Sequence, residues 1–240
     1  MSRKTFEYYS TLAATVSDPT VVAQRLPRQR EAERLIVWDI VEKLGISPGD
    51  HVLDIGCNLG NLTIPLSFLV CSVVAVDNAQ CVQRLRERST ADNIHCIAGN
   101  FLDIDLDQHY FDRILCYSVV QYLSNEVEIH ALIDKAISRL KPGGSFLIGD
   151  LPNLSVKQRF QASNSGKEFE VMWRTQAPQD TEPTKVQTIE DEEVPLLDDT
   201  LVLGIISRYR KLGYSAYVLP QNSTLPFGHT REDILIRKLP

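Results

Sequence analysis

The sequence predicts an α/β fold whose sheet is mostly parallel and covered by helices on both faces. Short apolar runs that end at a polar residue or a glycine alternate with segments of helical periodicity, which is the pattern of buried parallel strands joined by helices. A glycine turn follows the first of these runs, at residues 56–60. The last two runs are too close in the chain for a crossover helix, so they should form an antiparallel hairpin.

The composition is that of a globular protein with an ordinary core. The 240 residues are 43% hydrophobic and 23% charged, which allows one domain with elaborations. A net charge of −6 disfavours a nucleic-acid partner, and no run approaches the roughly 18 apolar residues of a membrane span. The N-terminus has no long apolar segment and the five cysteines form no Cys-x-x-Cys pair. We therefore expect a cytoplasmic protein with reduced thiols and without a metal site.

The glycine turn lies in the segment 52–66, VLDIGCNLGNLTIPL. The apolar residues before Gly56 predict a buried strand, and the apolar pattern after Gly60 predicts the start of a helix. Glycine suits this position because the backbone turns sharply and approaches a ligand, and a Cβ would obstruct both. The helix start adds unpaired N–H groups. The segment therefore predicts a ligand site.

The other elements follow from periodicity. Residues 1–30 are polar with an aromatic cluster, and form either a partly ordered arm or a flap over the ligand. Further strands are expected at residues 73–76, 94–98, 111–117, 145–149, 214–219 and 233–239, and helices at 31–44, 79–89, 127–140 and 198–212. The polar, proline-containing stretch 151–197 interrupts this alternation and is typical of a lid, a binding insertion or a disordered segment, with a helix somewhere in 153–169.

The expected organisation is a single domain, residues 1–240. Residues 1–48 form an N-terminal arm and helix, 49–150 the ligand-binding half, 151–197 an insertion between strands five and six, and 198–240 a closing helix and hairpin. The loop 221–231 should lie at the same edge of the sheet as the glycine turn, because strand six runs parallel to the others.

Several motifs in order resemble those of the class I S-adenosylmethionine-dependent methyltransferases: VLDIGCNLG, VVAVD, GNFLDIDL, FDRILCYSVVQYL and LKPGGSFLIGD. The resemblance covers residues 31–150 and, in pattern, 198–240. It implies a Rossmann-like sheet of seven strands with an antiparallel last strand, S-adenosylmethionine as the cofactor, and no metal. The family's turn usually reads Asp-x-Gly-x-Gly-x-Gly, and Asn58 replaces the middle glycine here. Asparagine tolerates left-handed backbone better than most residues.

The resemblance also implies roles for single residues. Asp54 would orient the turn and the cofactor's amino group, Asp77 would accept hydrogen bonds from the ribose hydroxyls, and Asn100 with Phe101 would recognise adenine. Alternative roles are a turn cap for Asp54, a helix N-cap for Asp77 and core packing for Phe101. The full set of expected cofactor residues is Asp54, Gly56, Cys57, Asn58, Gly60, Asp77, Asn78, Asn100, Phe101 and Tyr117.

A general base must lie at the carboxyl edge of the sheet. Asp150 ends the fifth strand there, and His229 lies in the last loop; an imidazole is the side chain most often suited to act as a base at neutral pH. A plain surface-loop position is the alternative for His229. Ser118 should line the wall near the transferred methyl. The expected substrate contacts are Tyr9, Gln121, Tyr122 and Arg231.

The expected function is methyl transfer to an oxygen or nitrogen atom of a small molecule. The segments DLPNLSVKQRF and FGHTREDILIRK resemble methyltransferases of bacterial sugar and polysaccharide gene clusters, which favours a sugar or a sugar-nucleotide. A nucleotide-dependent oxidoreductase is disfavoured, because GCNLGN lacks two of the glycines of Gly-x-Gly-x-x-Gly. The alternatives are a non-catalytic cofactor-binding partner subunit and a protein or RNA methyltransferase. The oligomeric state is left open.

Overall fold

A computed structural model describes residues 3–106, 110–176 and 196–240. Within these ranges the chain forms one seven-stranded sheet in the order β3-β2-β1-β4-β5-β7-β6. The strands are β1 His51–Ile55, β2 Ser72–Asp77, β3 Ile94–Ala98, β4 Phe111–Tyr117, β5 Leu140–Pro152, β6 Ser215–Pro220 and β7 Arg231–Arg237. The predicted α/β class is therefore confirmed.

The direction of the strands also matches the prediction. β1, β2, β3, β4 and β5 pair in parallel, whereas β7 is antiparallel to both β5 and β6. β6 consequently runs in the direction of the first five strands. The chain order reverses between β1 and β4, and the crevice beyond the carboxyl ends of such strands is where sheets of this type bind ligands.

The helices have these bounds: α1 Arg3–Thr15, α2 Pro19–Val22, α3 Arg30–Leu44, α4 Thr63–Ser67, α5 Ala79–Arg88, α6 Glu126–Ser138, α7 Leu154–Ala162, α8 Asn164–Gln176 and α9 Asp199–Lys211. Short 3-10 turns lie at Pro27–Gln29 and Val120–Tyr122. Side-chain N-caps begin several of them: Asp18, Asn78, Asn125, Asn153 and Asp198 each accept a hydrogen bond from the first turn that follows.

The core lies on both faces of the sheet because successive strand residues point to opposite sides. On β4, Ile114 packs into a cluster with α6 and α9, whereas its neighbour Leu115 packs into a second cluster with α3. On β5, Phe146 likewise packs into the first cluster and Leu147 into the second. Helices thus cover both faces, as predicted.

Several boundaries differ from the sequence-based expectation. β5 begins at Leu140 rather than at residue 145, so it includes residues 141–144. These residues lie opposite a register irregularity between Phe111 and Arg113 of β4, and Gly143 N donates to Lys238 O at 3.0 Å. In the stretch 151–197, which the sequence predicts to be an insertion, the described residues form two helices, α7 and α8, rather than one. The N-terminal residues form α1 and α2 over the glycine turn. Most of the acidic residues between positions 179 and 199 of the sequence lie outside the described residues.

Candidate functional site

Among the cavities of the described residues, two contain the residues predicted for the site, and both lie at the carboxyl edge of the sheet. The inner cavity, about 70 Å³, is lined by Tyr9, Ala23, Arg25, Asp54, Gly56, Cys57, Asn58, Asn61, Leu62, Asp77, Tyr117, Ser118, Val119 and Tyr122. The outer cavity, about 920 Å³, lies between the α7–α8 pair, the residues around Arg28 and the β6–β7 loop. Gln121 lines the outer cavity and its neighbour Tyr122 lines the inner one, so the two cavities are adjacent.

The glycine turn forms one wall of the inner cavity. Gly56 has φ +77°, and a Cβ added there would lie 2.3 Å from Cγ2 of Val119, so no other residue fits without a shift. Asn58 has φ +50°, the left-handed backbone expected of a glycine replacement. Its side chain donates from Nδ2 to the carbonyl of Val22 at 3.3 Å. Asn58 therefore ties the turn to α2, which glycine would not do.

Asp77 holds the turn against the end of β2. Its Oδ2 accepts a hydrogen bond from Asn58 N at 2.7 Å, and its Oδ1 accepts from Asn78 N at 2.6 Å. Burial raises the pKa of Asp77, although these hydrogen bonds oppose the rise. The N-cap of α5 is Asn78, whose Oδ1 accepts from Cys81 N at 3.0 Å. The helix-cap role is thus performed by Asn78, and Asp77 faces the cavity.

Asp54, at the end of β1, is a buried carboxyl group. Its side chain is almost inaccessible and accepts a hydrogen bond from Thr63 Oγ1 at 2.6 Å. Burial raises its pKa to about 6; the hydrogen bond from Thr63 opposes this rise, and the charge of Asp77 adds to it. Two carboxyl groups that line one small cavity favour a cationic ligand group beside them.

A polar cluster lies at the ends of β4 and β5. Ser118 and Asp150 each have φ +58°, a strained backbone for residues other than glycine, and strain of this kind is concentrated at functional sites. Ser118 Oγ donates to Asp150 Oδ2 in a short hydrogen bond. Arg25 Nη2 donates to Ser118 Oγ at 3.2 Å and lies 3.8 Å from Asp150 Oδ2. The arm that carries α2 is therefore fastened to the strand ends.

Asp150 lines neither cavity and instead contacts residues of both. Ser118 lines the inner cavity, and Arg231, whose Nε lies 3.7 Å from Asp150 Oδ1, lines the outer one. Behind it, Asp150 N donates to Asp233 Oδ1 at 2.8 Å. Gln221 Nε2 donates to that same Asp233 oxygen at 3.0 Å. Asp233 therefore fixes the backbone of Asp150 on the side away from the cavities.

The outer cavity has an aromatic wall, which we call the aromatic cage: Phe160, Phe169, Trp173 and His229. The Phe160 and His229 rings are stacked with 4.5 Å between centroids and 2° between planes. Phe169 is stacked on Trp173 at 5.7 Å and meets His229 edge-on at 5.0 Å. The guanidinium of Arg28 lies 3.6 Å from the centroid of the Trp173 ring.

The structure brings most of the sequence-predicted residues to these cavities. Tyr9, Asp54, Gly56, Cys57, Asn58, Asp77, Tyr117 and Tyr122 line the inner cavity, and Gln121, His229 and Arg231 line the outer one. Gly60, Asn78, Asn100, Phe101 and Asp150 line neither cavity. Phe101 is 5% exposed and packs in the main core, with Lys135 Nζ 5.2 Å from its ring centroid. His229 is half-buried in the cage rather than a solvated loop residue.

Two functional candidates had no sequence signal. Arg25 lies in the arm, 93 positions from Ser118, and no motif indicates that it reaches the strand ends. Gln221, at the start of the β6–β7 loop, donates to the Tyr117 hydroxyl at 3.1 Å. These contacts form because the arm and the β6–β7 hairpin both pack at the carboxyl edge of the sheet, which the sequence alone does not show.

The inner cavity fits the expected cofactor in its chemistry but not in its present volume. Two carboxyl groups and a turn without a side chain at Gly56 suit a ligand with a ribose and a cationic amino-acid tail. About 70 Å³ is space for a few water molecules, much less than such a ligand requires. The α1–α2 arm bounds the cavity through Tyr9, Ala23 and Arg25.

No group of His, Cys, Asp and Glu suited to a metal ion occurs among residues 3–106, 110–176 and 196–240. In those same ranges, the structure contains no helix that is both long enough and apolar enough to cross a membrane.

Comparison with known proteins identifies the segment around the glycine turn. Residues 52–144 match the family model described as a methyltransferase domain. Chondramide synthase of Chondromyces crocatus is 32% identical over 138 residues, 54% of this chain but 4% of that protein. Carboxy-S-adenosyl-L-methionine synthase of Shewanella oneidensis is 25% identical over 191 residues, 72% of this chain and 76% of that protein. The chain therefore spans only a small part of the first of these relatives.

A solved structure shares the fold over nearly the whole length. The N-methyltransferase NodS of Bradyrhizobium japonicum, in complex with S-adenosyl-L-homocysteine, superposes with a TM-score of 0.63 at 15% identity and covers 98% of each chain. At this identity the similarity concerns the fold, and it extends beyond residues 52–144 to the closing hairpin.

Proposed function

We propose that this chain, which belongs to the class I S-adenosylmethionine-dependent methyltransferases, transfers the cofactor's methyl group to an oxygen or nitrogen atom of a small molecule. The observation that carries the proposal is the adjacency of two cavities at the carboxyl edge of the sheet. One is bounded by the glycine turn and two carboxyl groups, and the other is large and aromatic.

The inner cavity would hold the cofactor once the arm moves. Asp77 would accept hydrogen bonds from the ribose hydroxyls, and the negative charge of Asp54 and Asp77 would favour the cationic tail. Gly56 would allow the backbone to approach the ligand. When bound, the cofactor supplies a methyl group already activated by the sulfonium. Because the cavity is small, entry would require the arm to move, and the contacts of Arg25 with Ser118 and Asp150 would then open.

The chain's main contribution to methyl transfer would be alignment of the acceptor, worth up to about 7–11 kcal/mol in favourable cases. His229 is the proposed general base: it lines the outer cavity, and a ring nitrogen would take the proton that the acceptor loses. Asp150 lines neither cavity and is proposed as a positioning residue, which orients the Ser118 hydroxyl and the Arg231 guanidinium.

Calorimetric titration tests the cofactor part of the proposal. S-adenosylhomocysteine should bind and NAD should not; the reverse result would overturn the assignment. Asp77→Ala should weaken S-adenosylhomocysteine by about 1.5–3 kcal/mol, the range for hydrogen bonds to a charged group. Because Asp77 also holds the glycine turn, Asp77→Asn is measured in parallel and the fold of both variants is checked by circular dichroism. The control is Asp92→Ala, an exposed carboxylate away from the site.

Incubation with methyl-labelled S-adenosylmethionine tests the acceptor part. Extract is separated into small molecules, protein and RNA, and each fraction is offered to the enzyme. Label in the small-molecule fraction supports the proposal, whereas label confined to protein or RNA contradicts it. Tight S-adenosylhomocysteine binding with no label transferred to any fraction would favour the non-catalytic partner subunit.

A further inference from the structure

The four residues of the aromatic cage line the outer cavity and give it an aromatic wall. Its four rings form a continuous chain of contacts with centroid separations from 4.5 to 5.7 Å. Aromatic faces arranged in this way favour a planar, apolar partner that stacks or packs edge-on. The leucine and proline residues of the β6–β7 loop, Leu225 and Pro226, extend this apolar surface.

The charges around the cage are predominantly positive, although the whole chain carries −6. The cations that line the cavity are Arg28, Lys157, Arg174 and Arg231, against the single carboxylate Glu170. Arg174 is neutralised by Glu170, with Nη2 2.5 Å from Oε1. Lys157 forms no ion pair with any residue that the structure describes. A cavity lined by one sign of charge attracts the opposite charge.

Arg231 is the cation best placed to bind an anion. It lines the outer cavity two positions after His229, and its side chain is 19% exposed. Its Nη1 is buried and has no hydrogen-bond partner in the described part of the chain. The nearest carboxylate contact is loose, with Nε 3.7 Å from Asp150 Oδ1. A buried guanidinium donor without a partner is costly, so an anionic ligand that supplies the missing acceptor gains affinity.

We propose that the acceptor is an anionic molecule with an aromatic or other planar apolar body, which packs in the aromatic cage and places its anionic group against Arg231. This inference rests on the proposed function, since it names the class of molecule that the same site would methylate. A carboxylate and a phosphate are both suitable anionic groups, and a sugar-nucleotide belongs to the second kind. A neutral sugar could pack on the aromatic rings but would bring no anionic acceptor for Nη1 of Arg231.

Binding of matched probes to the whole chain tests this inference without requiring turnover. The chain has two tryptophans; Trp38 is 66% exposed on α3, and Trp173 lies in the cage. In the Trp38→Phe variant, fluorescence excited at the red edge of tryptophan absorption reports on Trp173 alone. The probes are 4-phenylbutyrate, its neutral amide, the cationic 4-phenylbutylamine, and uridine monophosphate.

The expected result is that at least one anionic probe binds about tenfold or more tightly than the amide, and that the amine binds most weakly. Preference for 4-phenylbutyrate would identify a carboxylate acceptor, and preference for uridine monophosphate a nucleotide-linked one. In the same background, Arg231→Gln should reduce anion binding to the level of the amide and leave amide binding unchanged. Arg237→Gln, an exposed position at the opposite end of β7, should change nothing.

Equal binding of the anion, the amide and the amine, or the tightest binding by the amine, would overturn the inference. So would an Arg231→Gln variant that keeps the anion preference. Calorimetry with S-adenosylhomocysteine on the same samples separates the two proposals. If S-adenosylhomocysteine binds and the anions are not preferred, only the acceptor class is wrong; if S-adenosylhomocysteine does not bind, the proposed function fails.

Discussion

The two sides of the site are built in different ways. On the cofactor side, hydrogen bonds from backbone N–H groups fix the glycine turn: the Asp77 carboxylate accepts from the N–H groups of residues 58 and 78, and Gly56 N donates to Val76 O at 2.8 Å. On the acceptor side, the wall consists of side chains on α7, α8 and one loop. α7 has no buried residue at all, whereas α6 buries five.

This difference matters for function. Because the conformation of the turn depends on its backbone N–H groups, few substitutions there can change which ligand it binds. A wall built from side chains on lightly packed helices changes its specificity with each substitution. It also follows that changes on the cofactor side should disturb folding and binding together. Changes on the acceptor side should alter turnover or specificity and leave the fold intact.

The largest expected effect is on turnover, from His229. If a ring nitrogen of His229 is the base, His229→Ala should lower kcat by about 10²–10⁴-fold and leave S-adenosylhomocysteine affinity unchanged. Steady-state kinetics with the labelled acceptor fraction measure kcat, and calorimetry measures the affinity for S-adenosylhomocysteine. His130→Ala is the control, because His130 lies on α6 with Nε2 3.5 Å from Glu126 Oε1, away from both cavities.

The variant His229→Phe distinguishes two roles for His229: a general base, or a ring that only packs in the aromatic cage. Phenylalanine preserves a ring that can stack on Phe160 but removes the ring nitrogens. Turnover as low as that of His229→Ala supports the base. Turnover restored to the wild-type value would assign His229 to packing alone.

The second effect is on stability and binding at the glycine turn. Gly56→Ala places a Cβ 2.3 Å from Val119 Cγ2 at φ +77°, so we expect a loss of about 2–5 kcal/mol of folding free energy and no measurable cofactor binding. Urea denaturation and calorimetry measure these changes. Gly45→Ala is the matched control: φ is +62° but no atom lies within 4 Å of its added Cβ, so only about 1–2 kcal/mol should be lost. Equal losses would show that the contact with Val119 is unimportant.

The cofactor side was predictable from sequence because local rules determine it. Residues 52–77 contain all the signals that define it: a buried strand, a glycine that needs positive φ, and a carboxylate at each strand end. Even the Asn58 departure was interpretable, since asparagine adopts the left-handed backbone that the turn requires. The antiparallel β7 followed from the short β6–β7 connection.

The acceptor side was much less predictable because its contacts join distant segments. The His229 ring is placed by Phe160, which is 69 positions earlier in a helix whose face no periodicity identified. Arg25 reaches Ser118 only because the arm folds over the turn. Asp150 lies two residues before the end of β5 rather than at its end, and its side chain lies between the cavities, since its N–H donates to Asp233 and its carboxylate accepts from Ser118.

The third effect is a pH dependence on the cofactor side. Burial raises the pKa of Asp54 from 3.8 to about 6, so the folded state binds its proton more tightly than the unfolded state. Stability therefore falls as pH rises from 3.8 to about 6, in total by about 3 kcal/mol for roughly two pKa units. Asp54→Asn lacks this titration. Its stability relative to wild type, from urea denaturation, should increase over that pH range; a constant or decreasing difference would contradict the raised pKa.

The smallest expected effect comes from removing a helix cap. Comparing the caps of α7 and α6 tests whether the helices of the acceptor side unfold independently of the core. Asn153 caps α7 by accepting from the N–H of residues 155 and 156, and Asn125 caps α6 by accepting from that of residue 128. Each Asn→Ala change should cost about 1 kcal/mol of cap energy. Asn153→Ala also removes the hydrogen bonds that its Nδ2 donates to Asp199 and Glu232, which adds to its effect on α7. Because α7 is held by its caps and surface contacts, Asn153→Ala should accelerate amide exchange in α7 and α8 by about fivefold without affecting β4.

Packing holds α6 instead, since Ile129, Leu132 and Ile133 are buried against the sheet. Asn125→Ala should therefore leave most α6 amides exchanging at the same rate as those of β4, because both open only when the domain unfolds. Hydrogen exchange followed by mass spectrometry measures both variants. If α7 and α8 exchanged together with β4 in the Asn153→Ala variant, the acceptor wall would belong to the cooperative core, and its side chains would be no freer to change than the glycine turn.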